Sequence, residues 1–328
     1  MTDPIPAPVA AAARRRSEAR ADRDWATADR LKAEIEAAGW RVIDDGPDYR
    51  LEQRPVDVEV GGEIRYGRSG AVPSRLGDPP TGLATVVLVA KPDPGVTRRA
   101  VDALAATLLD GVDVVVVADG LPDRALVGVR ASDLAARTIG PPFELVRTSA
   151  ELGHAAALNI GIRRARAGIV VVIDATAVPT VDVVGALVVA LDDPAVAIAG
   201  AIGLASADLR HFDQVSAPPG RAIEAVAIDA RVMAFRRADA AARGPLDEGF
   251  RSPAFLDAWW SLVLRDEGVG ARPRRAIVVP GLALPGQSRT GPRADREQDR
   301  RSKRNAYRLL DRFRTRLDLA VADSPPGA

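Results

Sequence analysis

The chain of 328 residues carries 45 Lys and Arg against 44 Asp and Glu, a formal net charge of +1, so no overall field directs it to nucleic acid or to an anionic membrane. It has no cysteine and only two histidines, which excludes disulfides, thiolate chemistry and a histidine-built metal site and leaves carboxylates as the candidates for general-base work. Apolar residues at 47% and charged residues at 27% describe a globular chain with a real core.

The N-terminus MTDPIPAPVAAAARRR puts its basic run after the apolar stretch, the reverse of a secretory signal. No apolar run reaches the roughly 18 to 20 residues that span a bilayer, so a cytoplasmic protein is expected. The segment RRRSEARADRDWATADRLKAEIEAAGW spaces its apolar and small residues at helical intervals, and Gly39 stands where a helix C-cap belongs. Two helices are predicted, broken near Asp22 to Asp24. The text WRVIDDGPDYRLEQ then reads as two short strands around a DDGPD turn. This module, residues 1–53, resembles the extreme C-terminal part of cysteinyl-tRNA synthetases, and the resemblance implies contact with tRNA. A mixed-sign helical hairpin used for packing or for protein contacts is the competing reading. Residues 54–82, with GGEIRYGRSG and PSRLGDPPTG, are rich in Gly and Pro and read as a linker.

From Leu83 the pattern alternates. TVVLVA, VDVVVVADG, FELVRT, GIVVVIDA and VAIAGAIGL read as buried strands, with amphipathic helices at VTRRAVDALAATLL, HAAALNIGIRRARA and VDVVGALVVALDD. Such alternation predicts an α/β fold with a doubly wound, mostly parallel sheet, whose ligands bind outside the carboxyl ends of the strands. Lys91, Asp119 and Asp174 fall on that rim. The stretch TVVLVAKPDPG has neither the G-x-G-x-x-G fingerprint nor a Walker pattern, so any phosphate bound there needs another neutralising group. Taken alone, Asp174 at the end of VVVI is either a turn-forming acid or part of a site. Two acids on one rim suit ribose hydroxyls or a metal-bound diphosphate.

The succession TVVLVAKPDP, VDVVVVADGLPD, ELGHAAALNIGIRRARAGIVVVIDATAVPT, VMAFRRADAAARGPLDEGF and FLDAWWSLVLRDEG resembles family 2 glycosyltransferases of the GT-A fold. The resemblance implies a nucleotide-sugar donor, a glycan, lipid or protein acceptor, and inversion at the transferred sugar. It implies donor-binding roles for Lys91, Asp119, Gly153, Asn159 and Asp174. Ala118 stands where the family has a second nucleoside-reading acid, and Gly161 completes its Asn-x-Gly. Asp174 begins the family's D-x-D, where it would face the ribose or a metal, but the second acid is Thr176. A hydroxyl is a poor ligand for a hard dication, so a role for Mn or Mg is weakened and no metal ligand is assigned beyond Asp174. The family's Glu-Asp pair aligns with Leu256 and Asp257, which makes Asp257 the candidate catalytic base; its plain structural role would be an N-cap. Asp247 and Glu248 match the loop before that helix, and His211 falls in the acceptor half.

Trp259 and Trp260 are adjacent and so face different directions, one toward a sugar or base and the other toward the core. The resemblance also implies that Arg236 and Arg237 form a basic pair near the strand that frames the acceptor, with at least one of them expected in a structural ion pair. The chain ends in a basic helical segment with Ala306, Leu309, Leu310, Phe313 and Leu317 on one stripe. Its SKRNAYR and DRFR are similar to tails of actinobacterial proteins of this glycosyltransferase type. The expected division is a helical hairpin at 1–53, a linker at 54–82, the glycosyltransferase-like domain at 83–285 and a basic helical tail at 286–328. Retention of Asp119, Asp174 and Asp257 points to sugar transfer. The missing acids at Ala118, Thr176 and Leu256 point to a binding module without turnover, and the N-terminal hairpin to an RNA-associated adaptor.

Overall fold

In the computed structural model, which describes residues 4–45, 48–107, 110–129, 142–177, 181–282 and 296–320, the chain divides into two units, Met1–Val56 and Asp57–Ala328. The first holds helices α1 (Ala7–Ala21) and α2 (Trp25–Ala37) and an antiparallel hairpin of β1 (Trp40–Asp45) and β2 (Asp48–Gln53). Asp24 caps α2 by accepting the Thr27 N–H at 3.1 Å, and Gly39 takes the left-handed φ of +81° just beyond it. Val9, Ala12 and Ala13 of α1 meet Leu31, Ile35 and Trp40 in a small core. The helix break and the hairpin fall where the residue pattern puts them.

The second unit begins with β3 (Val58–Val60) and β4 (Glu63–Tyr66), then β5 (Ala84–Val89), α3 (Pro94–Thr107), β6 (Val112–Ala118), β7 (Phe143–Thr148), α4 (His154–Arg164), β8 (Ile169–Asp174) and α5 (Val183–Ala190). It continues through β9 (Val196–Gly200), β10 (Gly203–Ala205), β11 (Asp213–Val215), β12 (Ile223–Ala225), β13 (Ala227–Ile228), β14 (Val232–Arg236), α6 (Arg237–Arg243), α7 (Leu256–Arg265), β15 (Arg275–Val278) and α8 (Arg296–Phe313). Among the described residues ten strands form one sheet in the order β12-β15-β9-β14-β8-β5-β6-β7-β4-β3, and β10, β11 and β13 form a separate small sheet. The block from β8 to β4 is parallel throughout, while β14 runs antiparallel between β8 and β9. Period-two alternation explains the layers. Val86 and Leu88 of β5 face α3 and α5. Val87 faces the opposite layer, built from α4, α7 and α8.

Two expected boundaries shift. Residues 54–82 are not a linker: β4 pairs with β7 and extends the main sheet, and β3 folds back on β4 across Gly61 and Gly62, both at positive φ. That two-glycine turn is a hairpin signal which the Gly and Pro content of the region obscured. Val72 is buried against Val115, Val117 and Val146. The basic C-terminal segment is likewise part of the domain, because Leu309 and Phe313 enter the core and the Asn305 amide donates to the carbonyls of Ser252 (3.2 Å) and Ala254 (2.8 Å). Of the expected stripe, Leu317 stays exposed. Residues 283–295 and 321–328 of the expected segments lie outside the described residues.

Candidate functional site

Strands β5, β6 and β8 are parallel neighbours with Val89 level with Val117 and with Asp174, so Lys91, Asp119 and Asp174 leave the sheet at one end. There the Lys91 ammonium donates to Asp174 Oδ2 at 2.7 Å. Asp174 Oδ1 accepts the backbone N–H of Thr176 (2.8 Å) and lies 2.6 Å from its hydroxyl. Burial opposes ionisation of this carboxyl, but the Lys91 charge and the bonds from Lys91 and Thr176 together hold it below the usual range. The turn is fixed from both sides: the Lys91 N–H donates to Thr97 Oγ1 at 2.9 Å, and the Asp174 N–H to the Arg231 carbonyl at 2.9 Å.

His154 joins this rim, which the residue pattern alone did not indicate. It is the first residue of α4, and in a parallel sheet the helix that follows a strand starts at the carboxyl end. Burial and then the nearby Lys91 charge lower its pKa to about 4, with Asp174 opposing, so the imidazole is neutral at pH 7.

Asp119 lies on the rim as expected, but its carboxylate serves the backbone. Oδ1 accepts the Leu152 N–H (2.8 Å) and Oδ2 the Gly153 N–H (2.9 Å), with Thr148 Oγ1 2.9 Å from Oδ1. Burial raises its pKa, against the pull of those bonds. Gly153 supplies the φ of +109° that lets the loop turn into α4 against Arg251. The two together set the start of α4, and with it His154.

Asn159, expected in the wall beside a nucleotide, is instead buried. Its amide donates to the Leu246 carbonyl (2.9 Å) and to Glu248 (3.0 Å), and its carbonyl accepts the Leu246 N–H (2.9 Å). It fastens the loop of residues 245–249 to α4. Gly161, two residues on, is required because a Cβ there would overlap Val87 of β5.

The candidates nearer the acceptor half separate. Glu248 is exposed and hydrogen-bonded by Ser69 as well as Asn159, while Asp247 pairs with Arg308 of α8 at 2.9 Å. Asp257 is only 4% exposed. It is not an N-cap either: Phe255 holds that position, at φ +62°, and Asp257 lies inside the first turn. Trp259 is 5% exposed, so neither tryptophan of the pair is free for a sugar. The two rings stack with centroids 6.2 Å apart, Phe250 packs on Trp259, and the Arg312 guanidinium lies 5.2 Å from its ring centre. Both fit the core because α7 is buried on every side, by the sheet within and α8 without. His211 is exposed and pairs with Asp208 at 2.8 Å. Of the two arginines expected beside the acceptor strand, Arg236 pairs with Asp239 at 3.6 Å, and Arg237 is buried with its guanidinium among the carbonyls of Arg75, Ala165, Arg166 and Asp78.

The donor set does not fit a divalent cation. Among the described residues no group of three or more His, Asp or Glu side chains could hold one. Both oxygens of Asp174 are engaged by Lys91 and Thr176, and the second position of the D-x-D is a neutral hydroxyl already bonded to Asp174.

Residues 85–247 match the family model described as Glycosyl transferase family 2. The chain is similar in fold to GalNAc-T7, solved with UDP, GalNAc and Mn2+, with a TM-score of 0.55 and 14% identity over 70% of this chain and 48% of that one. It is also similar to the mannosyltransferase PcManGT from Pyrobaculum calidifontis, solved with GDP-Man and Mn2+, with a TM-score of 0.51 and 17% identity over 76% of this chain and 71% of that one. It thus spans about half the length of the GalNAc-T7 chain. No curated protein matches it. Among the described residues no helix is long and apolar enough to cross a membrane. The large unit has a GT-A-like α/β fold, shared with these two structures, and contains the residues that match the family 2 model.

Proposed function

We propose that the large unit is a cytoplasmic glycosyltransferase that holds a nucleotide-sugar in the crevice at the carboxyl ends of β5, β6 and β8 and passes the sugar, with inversion, to an acceptor hydroxyl. The convergence of Lys91, Asp174 and the neutral His154 on that rim carries the reading, because it is where open α/β sheets take ligands. Inverting transfer needs a base for the acceptor proton. Asp257 is too buried to meet an acceptor hydroxyl where it stands, so the role passes to the 245–249 loop, where Glu248 is the exposed acid.

A second reading, donor binding without transfer, is favoured by that same burial of Asp257 and by the missing acids at Ala118, Thr176 and Leu256. A thermal-shift panel of UDP-, GDP-, ADP-, CDP- and dTDP-sugars tests the shared part: a ligand at 100 times its dissociation constant adds about 2.7 kcal/mol of stability. Release of the nucleoside diphosphate from the sugar that binds then separates the two. Release supports transfer, binding without release supports the binder, and no shift with any of the panel retires both. An RNA-binding role for residues 1–56 rests on the synthetase resemblance alone. Retention of tRNA by that fragment in a filter-binding assay would support it, and no retention would remove it.

A further inference from the structure

We infer that the Lys91 ammonium takes the place of the divalent cation in this crevice, so that the diphosphate of a nucleotide-sugar is held without metal. The inference rests on the nucleotide-sugar reading above and adds what neutralises the phosphates.

Three observations converge on it. First, a diphosphate needs positive charge, and the β5–α3 connection offers no glycine-rich cradle of N–H groups for it. Second, the side chain that, among the described residues, reaches Asp174 from across the rim is a cation already seated at 2.7 Å, against the carboxylate oxygen a metal would need. An ammonium has three donors; Asp174 accepts one, and two point elsewhere for phosphate oxygens. Asp174 then acts as a positioning residue that aims the ammonium, and Thr176 steadies Asp174 from its other oxygen.

Third, the pair is open to a ligand. The side chains of Lys91 and Asp174 are 29% and 25% exposed, so an oxyanion entering the crevice reaches the ammonium without displacing other groups. His154 adds no competing charge beside them, since its imidazole is neutral at pH 7. The aspartate thus keeps Lys91 as its charged partner, and the rim presents a fixed cation where metal-assisted sites recruit one from solution.

The test uses the full chain and isothermal titration with UDP, GDP, ADP, CDP and dTDP, each in EDTA and in saturating Mn2+. The affinity of the nucleotide that binds is expected to agree within threefold between the two buffers. Lys91→Met is expected to weaken it tenfold or more, about 1.4 kcal/mol, in both. Lys91→Gln keeps a hydrogen-bonding group beside Asp174 and removes the charge, so it must show the same loss in a protein that still melts cooperatively. A tenfold or greater loss on chelation overturns the inference and leaves the proposed function standing. So does a Lys91→Gln protein that binds like the parent. No binding of any of the five nucleotides in either buffer overturns both.

Discussion

Truncation at two points separates the observed domain boundary from the one expected at Leu83. Removing residues 1–56 takes away one unit, and the fragment 57–328 is expected to unfold cooperatively. Removing residues 1–82 also takes β3, β4, buried Val72 and two of the four carbonyls around Arg237. Hydrogen bonds to a charged group are worth about 1.5 to 3 kcal/mol each, so the two carbonyls amount to about 3 to 6 kcal/mol. Exposing the Val72 pocket costs about 1.5 to 3 kcal/mol more. Arg163 and Arg164 lose the Val72 and Pro73 carbonyls they donate to, at 3.1 and 2.9 Å. Against a domain stability of about 5 to 15 kcal/mol, the fragment 83–328 is expected to lose a large part of it. Urea titration followed by tryptophan fluorescence reports on this directly, since Trp259 and Trp260 lie in the core of the large unit. A fragment 83–328 that unfolds cooperatively within 1 kcal/mol of 57–328 would refute the reasoning.

Asn159→Leu keeps the branched shape but strips the Leu246 backbone N–H and carbonyl of their partners in a buried setting, so denaturant unfolding should show a loss of about 2 to 5 kcal/mol; a loss below 1 kcal/mol would mean that the clamp is not structural. Gly161→Ala forces α4 off Val87 and is expected to cost about 1 to 3 kcal/mol by the same measurement, and a neutral result would show that the helix shifts freely. For His154 the folded pKa of about 4 lies below the ordinary 6.5, so between those values the unfolded chain binds the extra proton. Its contribution is fully present above pH 6.5 and is lost as the pH falls toward 4. His154→Gln should flatten the stability profile in that window, and an unchanged slope would place the titration elsewhere.

Much of the scaffold was legible because it rests on periodicity. The runs around Val86, Val115 and Val171 are apolar on both faces, and only a strand covered by helices on each side buries them. The rim followed from the same logic, since parallel strands end together and carry Lys91, Asp119 and Asp174 with them. What escaped was partner choice. Nothing in the spelling of Asp119, Asn159 or Asp257 says whether a carboxylate or amide faces solvent or the backbone of a distant loop; Asn159 meets Leu246, 87 residues away. His154 escaped because its neighbours in sequence are a glycine and alanines, while its charged neighbours in space, Lys91 and Asp174, come from the ends of β5 and β8. The short strands β3 and β4 escaped because two glycines and several prolines give a hairpin and a tether the same composition.

The position of β3 has a consequence for how the molecule behaves at high concentration. It closes one end of a ten-stranded sheet, and Val58, Val60 and Ile64 on this hairpin are exposed. An open edge with apolar side chains is a template on which a second chain could add a strand and begin aggregation. Here the edge is only three residues long, Pro55 precedes it, and Glu59 and Glu63 put like charge wherever two such edges would meet. Brevity and electrostatic repulsion thus act as gatekeepers at this edge of the sheet.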